Sequence, residues 1–390
     1  MKKKLFPLLR GCVLAFIFLC LIATGISAWI NRGLPTQSKV TDRLSELEKA
    51  RLAEAVHLRQ ALGDQVWLGW GQADIPQVVY NEAYAFIVGY PDPPSGWTMM
   101  PRHESRGGAW QIVPAEAVEG QPYYRQALSS PDLTPENFTV MVGQKWAASM
   151  QTDEYSEIAF YAGFREQLPS FVRPVFPYRL AWNLIAGKTD TTIQGLAHEA
   201  FHAYQGTLVP SRLAEAENIN RLESQYPWDD AGLTSAWKSE MELLVQAVRA
   251  PTDTEARDLA SRFLQARDQR RLSLKAELAD YEQQREWLEG LAKYTELELG
   301  RLAAITPGYA PLPAILADPN FKSYQDRARF MSEQLGEAQV TQGRNGETRL
   351  YYSGLAQAML LDRLQPGWKE KAFEPDVTIE TLLRQTLIAP

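Results

Sequence analysis

Cysteine is almost missing from this chain. The two it has, Cys12 and Cys20, both lie in one apolar run near the N-terminus. The rest of the chain therefore has no thiol for a disulfide or for binding a metal through sulfur. Histidine is scarce too, with four in 390 residues, so a bound metal must be held by those imidazoles and by carboxylates. Positive charge is not in excess. Lys and Arg number 40 against 47 Asp and Glu, a net charge of −7, which argues against a nucleic-acid partner. Internal repeats and low-complexity tracts are also lacking. What is abundant is apolar and aromatic: 45% of residues are hydrophobic, with 11 Trp, 16 Tyr and 14 Phe, enough for a large folded core.

The N-terminus reads as a targeting or anchoring segment. Lys2, Lys3, Lys4 and Arg10 precede an apolar run from Gly11 to Ile30, and about 20 such residues suffice to span a bilayer. The basic residues keep that end in the cytoplasm, so the body is expected outside the cytoplasmic membrane, in the periplasm. The run is longer than a usual signal-peptide core, and Ile26-Ser27-Ala28 is a poor cleavage site. A single-pass signal anchor is therefore favoured over secretion after cleavage, for which Ala23-Thr24-Gly25 is the better site. Ile17-Phe18-Leu19 before Cys20 lacks the small residue expected ahead of a lipidated cysteine.

Apolar periodicity and breakers divide the chain into five parts. Residues 1–30 form the anchor and 31–62 a juxtamembrane helix, with Val40, Leu44, Leu47, Val56, Leu58 and Leu62 near helical spacing. Residues 63–190 are strand-rich, with Pro91-Asp92-Pro93-Pro94-Ser95-Gly96 as a rigid loop. Residues 191–305 are helical, broken at Tyr226-Pro227 and Ala250-Pro251, and residues 306–390 form a helical C-terminal part. Within the fourth part, Asp258 to Gln284 is rich in charge and predicts a long helical hairpin with a solvated face. The expected fold class is α+β.

Gly195-Leu196-Ala197-His198-Glu199-Ala200-Phe201-His202 contains H-E-x-x-H. On a helix, residues four apart lie on one face, so His198 and His202 are placed to share one zinc ion, with Glu199 beside them as general base. Thr191 and Thr192 are the expected helix N-caps and Gly206 the expected stop. His57 and His103 read as packing and loop residues.

A catalytic zinc requires a third protein ligand and an open position for water. Gln205 and Leu208 stand where a third-histidine motif would have its Gly and His, so the third ligand is expected to be a carboxylate. Glu223, about 20 residues on, is one candidate, and Glu240 and Glu242 are others. Glu289 leads, because Gly290 directly after it lies inside a strong helix, at a cost of about 1 kcal/mol relative to Ala. Close approach of this helix to the His198 helix is the expected compensation.

His198-Glu199-x-x-His202 followed by Glu289-Gly290-x-Ala292-x-Tyr294 resembles the gluzincin metallopeptidases, the thermolysin-like zinc hydrolases. The resemblance covers two short motifs and their order. It departs in the long helical insert between His202 and Glu289. It implies a thermolysin-like catalytic body with Zn2+ held by His198, His202 and Glu289, and a peptide or protein substrate. It also implies a Tyr or His that stabilises the oxyanion, for which Tyr351 and Tyr352 are the candidates and Tyr294 and His103 the rivals. The Gly-x-Met-Glu-Asn strand of the clan's aminopeptidases is absent, which favours an endopeptidase over an exopeptidase. The expected function is a membrane-anchored, extracytoplasmic zinc metallopeptidase. A non-catalytic binding module of the same fold and a zinc hydrolase of a non-peptide amide are the alternatives, and iron or manganese would also suit the ligand types.

Overall fold

The structure, a computed structural model, describes residues 5–130, 133–340 and 346–388, with side chains described from residue 18 to 338 outside the first gap and from 346 to 388. Two helices come first, α1 (Leu5–Asn31) and α2 (Glu46–Val66). Among the described residues eight strands follow: β1 (Gln77–Tyr80), β2 (Tyr84–Val88), β3 (Trp97–Met99), β4 (Glu104–Arg106), β5 (Gln111–Val118), β6 (Gln121–Ala127), β7 (Phe138–Val142) and β8 (Lys145–Gln151). The rest is helical: α3 (Asp153–Gln167), α4 (Tyr178–Ile185), α5 (Thr189–Leu208), α6 (Pro210–Asn218), α7 (Ala231–Arg249), α8 (Asp253–Arg271), α9 (Ala276–Arg285), α10 (Leu291–Ile305), α11 (Arg327–Val340), α12 (Thr348–Leu364) and α13 (Ile379–Ile388). A π turn, Glu286–Gly290, joins α9 to α10 without a break. The sheet thus ends at Gln151, and the segment expected to be strand-rich as far as residue 190 closes with α3 and α4.

Among the described residues no helix is long and apolar enough to cross a membrane. Residues 11–17 of the expected span lie outside the described side chains.

The sheet runs β4-β3-β7-β8-β1-β2-β6-β5. Every pairing is antiparallel except β1 with β8, where Gln77 stands opposite Ala148. Alternation along the strands gives the sheet two apolar faces. Val79, Phe86, Tyr123, Trp146 and Ala148 join the main core, while Val78, Ile87, Trp97, Val140 and Ala147 form a second cluster.

Helix α2, expected as a juxtamembrane stalk, is a central strut. Ser45 caps it by accepting from Glu48 N at 3.1 Å, and Leu52, Leu58 and Leu62 are buried. Five of its charged residues, Glu48, Lys49, Arg51, Glu54 and Arg59, are buried as well, and some tie separate segments together. Arg51 pairs with Asp153 at 2.9 Å and Asp318 at 2.8 Å, and Glu54 accepts from the hydroxyls of Tyr309 and Tyr324 at 2.7 and 2.9 Å.

The charge-rich stretch from Asp258 to Gln284 does form a hairpin, α8 and α9, with a solvated face that carries exposed Asp258, Arg262, Asp268, Lys275 and Glu277, but its inner face is charged as well. Arg267 and Glu282 have no exposed surface and Arg270 is 3% exposed. Arg267 donates to Glu240 at 2.6 Å and to both oxygens of Glu286 at 2.8 and 2.9 Å. Arg270 donates to Glu240 at 2.7 Å and to Glu282 at 2.5 and 2.9 Å. A guanidinium offers five donors, so two or three carboxylates around it satisfy each other's buried charge. Taking one partner away leaves an unneutralised buried ion. Glu240→Ala is expected to lower unfolding stability by about 3–5 kcal/mol, whereas Arg262→Ala, whose pairing with Asp258 is surface-exposed, should cost under about 1 kcal/mol. Urea unfolding of both variants is the measurement.

Candidate metal centre

The helix α5 that carries H-E-x-x-H starts at Thr189, with Lys188 at its N-cap and no side-chain cap. The expected caps lie inside the first turn, where their hydroxyls have other partners. Thr191 accepts from Arg327 at 3.0 Å, and Thr192 donates to Asp153 at 2.8 Å. Gly206 does not stop the helix, which continues to Leu208. It is glycine for packing, because a Cβ there would lie 2.6 Å from the Trp146 ring of β8. Gly195, about three turns earlier on the same face, faces Met150 of β8 in the same way, at 3.3 Å. α5 thus lies close on the sheet and turns its histidines toward the helical half.

There they meet Glu289. His198 Nε2 and His202 Nε2 are 3.1 Å apart, and Glu289 Oε2 lies 3.3 Å from the first and 3.4 Å from the second. An ion with tetrahedral bonds of about 2.0–2.1 Å holds its ligands about 3.3–3.4 Å from one another, so the three atoms match the base of a zinc tetrahedron. All three residues are buried. They are also the one His, Cys, Asp and Glu grouping of three or more among the described residues that has metal-ligand spacing.

The surrounding residues fix which atoms face inward. His198 Nδ1 donates to Glu296 Oε2 at 2.8 Å, a carboxylate that can only accept. His202 Nδ1 meets Gln205 Oε1 at 2.9 Å, while Gln205 Nε2 donates to the Trp287 carbonyl at 3.1 Å. Both Nε2 atoms therefore point at the same spot as the Glu289 carboxylate. Three electron-rich atoms converging there suit a cation, and outer-shell partners of this kind orient metal-bound imidazoles. Glu289 is steadied from behind, since Arg285 donates to its Oε1 at 2.8 Å. Phe138 of β7 packs its ring 4.9 Å from that of His202.

The charges agree with this arrangement. Burial works against ionising Glu289, but His202, Arg285 and the imidazole hydrogen bonds outweigh it and hold its carboxyl well below the usual range. Burial likewise works against His198, yet in the metal-free protein Glu289 and Glu296 push its pKa up to about 10. Glu199 is half-buried. Its Oε2 is enclosed without a hydrogen-bond partner among the described residues, and burial raises its pKa to about 7 against the pull of His198 and His202.

Tyr351 and Tyr352 separate. Tyr351 stacks on His198, with ring centroids 6.2 Å apart and planes 10° from parallel, and its hydroxyl is within reach of Glu289, with its pKa pushed up by burial. Tyr352 donates to Gln334 of α11 at 3.0 Å and leaves the centre. Tyr294 donates to Asp362 at 2.6 Å from the core. His57 stacks on Tyr309, and His103 sits exposed in a turn. Of the alternative ligands, Glu240 is used in the arginine cluster, Glu242 is exposed and Glu223 lies outside the ligand set.

Gly290 does allow a close helix approach, but to α12 rather than to α5. A Cβ on Gly290 would lie 2.5 Å from Gly354 Cα. The close contact with α5 falls at Gly300, where a Cβ would lie 2.0 Å from the Gln194 amide.

Three contributors escaped the sequence reading. Glu296 follows Glu289 by about two turns on the same face, a spacing that was available. Gln205 is three residues past His202, and Arg285 four before Glu289. The π turn at Glu289 has no sequence signature beyond Glu-Gly. A cavity of about 370 Å³, lined in part by Phe138, Thr139, Glu217 and Asn220, adjoins the centre, since Phe138 touches His202 and Glu217 pairs with Arg285 at 2.7 Å.

Zinc binding must expel the proton that His198 holds below about pH 10. Calorimetry in buffers of different ionisation enthalpy should show about one proton released per zinc near pH 7.5, with affinity rising as pH rises toward 10. Glu296→Gln should weaken zinc binding by about 10–100-fold. In comparisons with known proteins, no family model, curated protein or solved structure matches this chain.

Proposed function

We propose that this chain is a zinc-dependent metallopeptidase of the gluzincin type, anchored by its N-terminal helix with its body outside the cytoplasmic membrane. The observation that carries this reading is the tripod of His198, His202 and Glu289 with the unpartnered Glu199 carboxylate beside it. A half-buried carboxylate with one oxygen enclosed and unpartnered among the described residues costs stability, and a binding module gains nothing from it. A general base needs a carboxylate with a pKa near the working pH.

His198, His202 and Glu289 would hold the ion. Zinc bound there would supply Lewis acidity and would lower the pKa of a water molecule toward about 7. Glu199, with its pKa near 7, takes the proton of the attacking water and passes it to the leaving amine. Tyr351, kept protonated by burial, is placed against His198 to donate to the oxyanion. Glu296 and Gln205 keep the imidazoles in the tautomer that leaves Nε2 free. The cavity past Phe138 offers room for part of a peptide, and the clan's amine-binding motif is absent, so an internal bond is the favoured substrate.

The test is hydrolysis of a peptide library by the full-length protein, with zinc content measured alongside. Glu199→Gln should keep about one zinc per chain and lose about 10²–10⁴-fold in kcat. Tyr351→Phe should keep zinc and lose about 10²–10³-fold in kcat. Because Glu199 must be ionised to act and burial raises its carboxyl above the usual range, kcat/KM should fall on the acid side of its pH profile. Failure to bind zinc, or full activity in Glu199→Gln, would overturn the proposal. Cleavage of non-peptide amides alone would move the substrate class and leave the mechanism intact.

A further inference from the structure

Helix α4 is apolar on both sides. Tyr178 and Trp182 face inward and join Leu34 and Tyr161 in a small core of their own. Leu180, Leu184 and Ile185 face outward and are 56%, 72% and 63% exposed. Only Arg179 and Asn183 are polar in this helix. A helix on a water-facing surface ordinarily carries polar residues on its outer side. Phe171, in the loop before α4, is 80% exposed. Large side chains grouped in this way mark a surface that something covers.

The covering partner is indicated by what lies next to this surface. The last turn of α1 is fastened to the same unit, because Asn31 Nδ2 donates to the carbonyls of Pro174 at 3.0 Å and Phe176 at 2.9 Å. Ile26 and Ile30 of α1 share an apolar recess of about 340 Å³ with Pro177 and Leu180. Further along α1, Phe18, Leu19, Leu21, Ile26 and Trp29 are all exposed. The apolar surface of α1 therefore meets the outer face of α4 at this recess, with Arg179 at its edge. Exposed Arg32, Arg173, Arg179 and Lys188 flank these apolar residues in sequence, which suits lipid phosphates.

We infer that the face formed by Phe171, Leu180, Leu184 and Ile185 lies in the interfacial layer of the bilayer that α1 enters. The body then rests against the membrane instead of standing off on a stalk. This inference rests on the reading of α1 as the anchor. It also limits the reach of the site, since α5 begins at Thr189, just past the end of α4, and about 14–20 Å of helix separates that start from the two histidines.

The test uses the full chain with Cys12→Ala and Cys20→Ala, reconstituted in phosphatidylcholine–phosphatidylglycerol vesicles. Single cysteines placed by Leu184→Cys, Phe171→Cys, Leu19→Cys or Leu272→Cys carry an environment-sensitive fluorophore, and nitroxide-labelled acyl chains serve as quencher. The expected result is blue-shifted emission lost to the lipid quencher at positions 184, 171 and 19, and no loss at 272, which is equally exposed but lies in the turn after α8. Adding Leu180→Glu to the Phe171→Cys protein should reverse the blue shift at 171 and leave peptide hydrolysis in detergent unchanged. Quenching at 19 without quenching at 184 and 171 would overturn the inference and leave the anchor standing. Absence of quenching at 19 as well would remove the anchor and the inference together. A label at 184 shielded from aqueous iodide yet unaffected by the lipid quencher would mean that protein covers the face, a second copy or another partner, and would also overturn it.

Discussion

Glu289 is a buried carboxylate that must stay ionised, and much of the helical half is arranged around that requirement. Its two oxygens have separate partners. Oε2 faces the Nε2 atoms of His198 and His202, and Oε1 accepts a hydrogen bond from Arg285. Arg285 is itself surrounded by carboxylates, since Glu217 and Glu347 share it with Glu289. Burial raises the carboxyl of Glu347 to about 7 in spite of Arg285. The guanidinium is thus the common counter-charge of three acidic groups. Its rigid fork explains why lysine would not serve as well in its place.

The π turn lets neighbouring carboxylates do different jobs. An α-helix keeps residues three and four apart on one face, which would aim Glu286 and Glu289 in similar directions. The wider i→i+5 turn separates them. Glu286 goes to Arg267 and Ser353 in the arginine cluster, and Glu289 goes to the histidines. π turns recur at functional sites for this kind of reason. This one is held by Gly290 against Gly354, a backbone contact that leaves no space for a side chain on either partner. The same few residues therefore carry the packing of α12, the arginine cluster and the place of Glu289 in the His-His-Glu cluster.

On the other side of the centre the constraint is steric. α5 is pressed between β8, at Gly195 and Gly206, and α10, at Gly300. The histidines gain a fixed distance from Glu289 because the helix that bears them cannot shift against either neighbour. Phe201, buried between Trp67 and Trp70, anchors α5 to the end of α2.

Local rules were enough for what local chemistry decides. Two histidines four apart on a helix share a face whatever surrounds them, and a carboxylate was required because the body has no cysteine and no third histidine nearby. The mixed composition of strands followed by helices was likewise readable, as was the helical hairpin of α8 and α9. What the sequence alone could not decide was where each charge goes. An Arg- and Glu-rich helix looks the same whether it faces water or closes on its own counter-charges, so the burial of Arg267, Arg270 and Glu282 became visible only once α7, α9 and α12 were packed around them. The choice between Tyr351 and Tyr352, the partner of Gly290 and the role of Glu296 have the same origin. Each depends on the angle at which two distant segments meet, and adjacent residues on a helix point about 100° apart, so a small rotation of α12 or α10 decides which of them reaches the centre.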